Sequence, residues 1–150
     1  MVVRLEVSWA NIEGFKGSLD RLIRRLDSAA HTWVAEASAM AVSAIRQEFQ
    51  GAHARGEPHI GGSNPNVVTG SLRRSILSEP ITRYGVSDYG TRVSPNTVYA
   101  RRVELGFVGR DSLGRHYNQP EFPYFRPGVQ KIGGPIRALA VEKFTVAVRG

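Results

Sequence analysis

The chain contains no cysteine. Disulfides, thiolate nucleophiles and cysteine-ligated zinc are therefore excluded, and the composition fits a reducing compartment. No apolar run approaches the roughly 18 residues that a membrane-spanning helix needs. Arg4 and Glu6 stand where a secretory leader would be apolar. These absences set the expectation of a soluble, unprocessed protein with no membrane partner. Lysine is scarce as well: all but three of the 20 basic residues are arginine. Against 13 acidic residues they leave a formal charge of +7. The guanidinium favours planar, two-pronged contacts with carboxylate or phosphate, so DNA or an acidic protein surface is the expected neighbour. The charge is spread along the chain without a basic tail, so a solvated surface role competes for any one arginine.

What is present suffices for a core. Apolar residues make up 41% of 150 residues, a length that suits one domain over 1–150 and buries about two-thirds of the unfolded surface. Val3–Trp9 alternates apolar and polar, as a half-buried strand does. Asn11 is placed to cap a helix in which Ile12, Phe15, Leu19, Leu22, Ile23 and Leu26 recur at three- and four-residue steps. A second helix is expected from about Ser28 to Gln50, striped by Trp33, Ala37, Met40, Ala41, Ala44, Ile45 and Phe49 and stopped by Gly51. The Gly/Pro-rich stretch 51–66 reads as a long loop that orders against a neighbour. Ser75–Ile81 and a segment within Tyr84–Val93 read as a hairpin, turning near Tyr84-Gly85 or Asp88–Gly90. After a loop at Ser94–Asn96, the four-residue spacing in Tyr99–Gly106 favours a short helix. Residues 106–119 read as a second loop and Phe122–Phe125 as a short strand. Pro127 suits the first turn of a last helix, which Gly133-Gly134-Pro135 should kink or split. The expected fold is α+β: a small, mainly antiparallel sheet packed by the long helix and the C-terminal helix, with two long loops.

The pivot between the helical and strand-like halves is Val67–Ile76, VVTGSLRRSI, where the Thr69 hydroxyl is placed to accept an amide two or three residues on. With TVYARRVELG at Thr97–Gly106 and FPYFRPGVQ from Phe122, this stretch resembles the gene-product-ten-like neck and tail-component family of long-tailed, Hong Kong 97 type bacteriophages. Thr69, Gly70, Leu72, Ser75 and Ile76 match its first block. Tyr99, Ala100, Val103, Glu104 and Gly106 match the second, and Pro123, Phe125, Arg126 and Pro127 the third. The resemblance implies a structural virion protein of the head-to-tail connector: a neck, tail-completion or tail-terminator protein, assembled in the host cytoplasm. It implies a homo-oligomeric ring, sixfold in preference to twelvefold, around the double-stranded DNA channel. Its partners would be head-completion and tail-tube proteins. Arg73, Arg74, Arg101, Arg102, Glu104 and Arg126 are the candidates for subunit contacts or for facing DNA in the lumen, and Glu104→Ala is expected to weaken assembly more than folding. The alternative is a small basic protein binding duplex DNA without sequence preference.

Enzymatic chemistry finds no support. His53 and His59 share a loop with Glu57, but a glycine-rich loop is no frame for zinc. The glycines of 61–70 lack the Gly-Lys-Ser/Thr ending of a phosphate-binding loop, no nucleophile elbow occurs, and Glu48, Glu79, Asp88, Asp111 and Glu121 are scattered. No catalytic residue, metal or cofactor is expected, so a nuclease- or toxin-type enzyme ranks last.

Overall fold

The structure is a computed structural model that describes residues 9–52 and 60–150. The strand expected over Val3–Trp9 lies outside the described residues except for Trp9, which already begins a helix. That helix, α1, runs without a break from Trp9 to Gln47, roughly 58 Å at 1.5 Å per residue. Two helices were expected, with Asn11 as a cap, but no proline lies between them. Asp27 and Ser28, the natural candidates for a break, stay helical while the Asp27 side chain bonds to a different element. Gly14 and Gly17 are accommodated within the helix. Gly51 is not its stop: the helix ends four residues earlier, where Glu48 and Phe49 turn back onto the Ile45 and Arg46 carbonyls.

After α1, strand β1 (Gln50–Ala52) pairs in parallel with β2 (Asn66–Val67), so the far end of the expected loop is tied to the helix terminus. Helix α2 (Ser71–Ser75) runs straight into β3 (Ile76–Ser78). The Thr69 hydroxyl does accept the Ser71 amide, at 3.3 Å, while Gly70 occupies the capping position itself.

The hairpin is paired differently from expectation. Strand β3 joins antiparallel to β6 (Val93–Pro95), and between them β4 (Thr82–Gly85) and β5 (Asp88–Gly90) form their own hairpin, turning at Val86-Ser87. Ser94 and Pro95 are therefore strand, not loop. Pro95 is tolerated because β6 is an edge strand of a two-stranded ribbon. Helix α3 (Ala100–Leu105) forms as the spacing predicts. The expected second loop is instead a hairpin of β7 (Phe107–Arg110) and β8 (His116–Gln119). Its turn is held by Asp111, which accepts the Leu113 and Arg115 amides at 2.9 and 3.0 Å and the Tyr117 hydroxyl at 3.2 Å. Residues 122–124 are not strand; they lead directly into α4 (Phe125–Arg149).

Helix α4 is one helix of 25 residues with Pro135 inside it. Gly133, Gly134 and Pro135 all lie on its exposed side, where water can replace the backbone bond that proline removes. The opposite face packs antiparallel on α1. Its start crosses at Ile45: a Cβ on Gly128 would lie 2.7 Å from the Ile45 Cα, so only glycine permits this approach. Farther along, the Trp33 indole donates to the Ile136 carbonyl at 3.1 Å and its ring meets Phe144. Lys143 bonds Glu36 at 2.7 Å. Among the described residues the result is α+β, two packed helices with four two-stranded ribbons, three antiparallel and one parallel. The core of Ile45, Phe49, Leu72, Ile76, Ala100 and Tyr124 sits where the C-terminal end of α1 meets α2, α3 and the start of α4.

Candidate functional site

Glu104 occupies the centre of this region. It is 8% exposed, and its carboxylate accepts the backbone amides of Tyr124, Phe125 and Arg126 at 2.8, 2.8 and 3.0 Å, with the Arg126 Nε at 3.2 Å. These are the amides that the first turn of a helix leaves without intrahelical partners. A carboxylate there also meets the positive end of the helix dipole. Glu104 is thus a remote cap that fastens α3 to α4. Burial pushes its carboxyl pKa up, but the three amides and the guanidinium outweigh burial and hold it below the ordinary range. Arg126 spans Glu104 and Glu121, the latter at 2.8 Å. Gly106, just after α3, has φ 71°, and a Cβ there would fall 2.8 Å from the Gln119 carbonyl oxygen. Only glycine fits beside β8.

The six charged candidates separate into two groups. Glu104 and Arg126 find partners in their own chain. Arg102 also packs internally, its guanidinium 4.5 Å from the Phe107 ring and 5.7 Å from Tyr117, which braces the β7–β8 hairpin. Glu104→Ala is accordingly expected to act on folding first, a revision of the assembly effect anticipated above. Arg73, Arg74 and Arg101 are exposed and, among the described residues, make no ion pair. They remain available to a neighbour.

Two acids with structural roles had no sequence signal. Glu48, 3% exposed, takes Asn64 Nδ2 on its carboxylate at 2.7 Å and on its carbonyl at 3.0 Å, and it also bonds Lys131 of α4. Asp27 accepts the Ser87 amide at 2.8 Å, the Tyr89 hydroxyl at 2.9 Å and Arg83 at 3.1 Å, tying the β4–β5 hairpin to α1. The Ser87 amide above all, against opposition from burial, depresses its carboxyl pKa. The spacing from α1 to these partners is 56 residues or more, so no local pattern announces it.

Beside α2 lies a groove of about 220 Å³, walled by Phe49, Val67, Leu72, Tyr99, Val103 and Phe122, with Arg73 on its rim. At the other end of the molecule, residues 9–24 of α1 extend past α4, whose terminal Gly150 lies beside Arg25. There Trp9 is 82% exposed, Phe15 70%, and Ile12, Leu19 and Ile23 each more than 40%.

Among the described residues no three His, Cys, Asp or Glu side chains converge to hold a metal, and no described helix is long and apolar enough to cross a membrane. His53 and His59 lie outside the described residues; His31 stacks edge-on against Tyr89 at 5.3 Å. Comparison with protein-family models, with curated proteins and with solved structures finds no match to this chain.

Proposed function

We propose that the chain is a structural component of a phage head-to-tail connector, a neck, tail-completion or tail-terminator protein that closes into a ring around the DNA channel. The observation that carries this reading is the meeting of the three sequence blocks in space. Leu72 and Ile76 of the first, Ala100 of the second and Tyr124 of the third share one core, and the second and third are joined by Glu104. Blocks scattered over more than fifty residues of sequence behave as one folded unit, which is what a family-level resemblance requires of them. The exposed Arg73, Arg74 and Arg101 give such a ring charges for its neighbours or for passing phosphates, and its partners would be head-completion and tail-tube proteins in the virion.

The same three arginines favour a second reading, a basic protein that binds duplex DNA of any sequence as a monomer. Native mass spectrometry over a range of protein concentrations, beside duplex binding at several salt concentrations, separates the two. A dominant hexamer or dodecamer is expected. A chain that stays monomeric throughout and binds duplex with a steep salt dependence would replace the connector with the DNA-binding protein.

A further inference from the structure

We propose that Arg46, Arg73 and Arg74 together form a binding site for a phosphate group. The site adds Arg46 to the exposed pair, sets Arg101 apart from it, and holds whether or not the chain closes into a ring.

The three arginines come from two places in the sequence. Arg46 lies in the last turn of α1, next to the fully buried Ile45. Arg73 and Arg74 lie on α2, directly after the buried Leu72. The core thus fixes both stretches of backbone. Together the three line an open recess of about 280 Å³ whose other walls are Val67 and Gly70. Arg46 is braced there, its Nη2 donating to the Ile76 carbonyl at 2.8 Å. Arg74 lies against Gly70: a Cβ on that glycine, whose φ is 71°, would fall 2.8 Å from the Arg74 Nη1. Arg46 and Arg73 also border a second recess, of about 530 Å³, with Ser43, Gln47 and Ser78 as its polar walls.

No carboxylate lines either recess. Elsewhere the chain neutralises its arginines: Arg83, Arg92, Arg115 and Arg126 each sit within 4.0 Å of an Asp or Glu. Among the described residues Arg46, Arg73 and Arg74 have no such partner. Like charges around one recess repel, and an anion between them reverses the sign of that energy. Arg101, though exposed and unpaired, lines a recess that also holds Glu104, so its field is partly offset.

A second observation comes from Arg46 itself. Its Nε is buried without an acceptor. Buried donors of this kind are few in native proteins, and a nearby ion is one reason they persist. An anion in the recess would stabilise the whole guanidinium without touching Nε. Three guanidinium groups also choose between anions. A phosphate offers up to three acceptor oxygens and up to about two charges, one oxygen for each arginine. A carboxylate is matched by a single two-pronged arginine. The recess is below the about 300 Å³ at which small-molecule pockets begin, which suits a phosphate group and not a whole nucleotide.

The test is a titration with sodium phosphate at fixed ionic strength, balanced with sodium chloride and followed through the arginine Nε–H signals of the labelled chain. The Arg46, Arg73 and Arg74 signals should shift together and saturate with one Kd, while Arg101 stays in place. Arg73→Gln and Arg74→Gln should each weaken binding about fivefold, the upper range for an exposed ion pair, with melting temperatures unchanged in phosphate-free buffer. A short duplex without terminal phosphates distinguishes the source. If that duplex displaces inorganic phosphate, the site takes the DNA backbone; if it does not compete, the site takes a free or terminal phosphate. Either result upholds the site. Shifts that never saturate, that extend equally to Arg101, or that survive Arg73→Gln and Arg74→Gln combined would overturn it. A chain monomeric in native mass spectrometry would remove the ring alone, so the two proposals fail separately.

Discussion

The two ends of α1 carry the same kind of sequence and meet opposite fates. From Arg25 to Gln47 its apolar stripe is covered by α4, and Ile45 is fully buried. From Trp9 to Arg24 an equally regular stripe stands in water. Periodicity records that a face needs a partner. It does not record whether the partner is in the same chain. The covered half is folding information; the overhang keeps an apolar stripe that nothing among the described residues covers.

Paired substitutions offer the largest expected contrast. Ile45→Ala should lower the unfolding free energy by about 2–5 kcal/mol, since it opens a cavity in a fully packed site. Phe15→Ala should change it by less than about 0.5 kcal/mol. Urea unfolding at concentrations low enough to keep the chain monomeric reads both, and comparable losses would abolish the distinction between the two ends. Glu104→Ala comes next, at about 1–3 kcal/mol, because three amides of α4 lose their acceptor. Were its melting temperature unchanged while assembly collapsed, Glu104 would belong to an assembly surface and not to the core.

Acid gives a smaller effect with a defined sign. The folded Glu104 pKa lies below its ordinary 4.5, so the stabilisation is fully present above about pH 4.5 and is lost as pH falls through the depressed folded value. Asp27 and Asp111 are depressed in the same direction and add to the decline. Melting temperatures measured from pH 7 down to 3 should fall in the acid limb, and Glu104→Gln should flatten that fall; parallel curves for the two chains would remove Glu104 from the account. The smallest effect is local. Asp27→Asn should speed hydrogen exchange at the Ser87 amide with little change in global stability, and unaltered exchange there would show that the hairpin holds to α1 without this carboxylate.

Much of the helical architecture was legible. Local spacing was enough to place α3, Pro127 in the first turn of α4 and the Thr69 turn, because each depends on residues within a few positions. The sheet was not legible. Strands of two to four residues carry too little alternation to specify partners, and β3 passes over its neighbour in sequence to pair with β6. The β7–β8 hairpin was hidden for another reason: its turn is built by one aspartate side chain and not by a signature dipeptide. Among the site residues, Glu104 and Arg126 were singled out as polar contacts of the fold or the ring, with assembly expected to dominate, and the bonds within the chain revise that weighting; Glu48 and Asp27 were not singled out, since their partners arrive from 16 to 83 residues away.

The pairing of α1 with α4 also imposes an order in time. About 77 residues separate the end of one helix from the start of the other, so at roughly 5–20 residues per second a ribosome begins α4 some 4–15 seconds after α1 is complete. Throughout that interval the whole stripe, and not only the overhang, is unpartnered. Neighbouring nascent chains on one message would hold these helices close together at the moment they are most adhesive. Lys16, Arg21, Arg24 and Arg25, set against Glu13 and Asp20, leave that first stretch of α1 with a net positive charge, which would oppose contact between unfinished copies until α4 arrives.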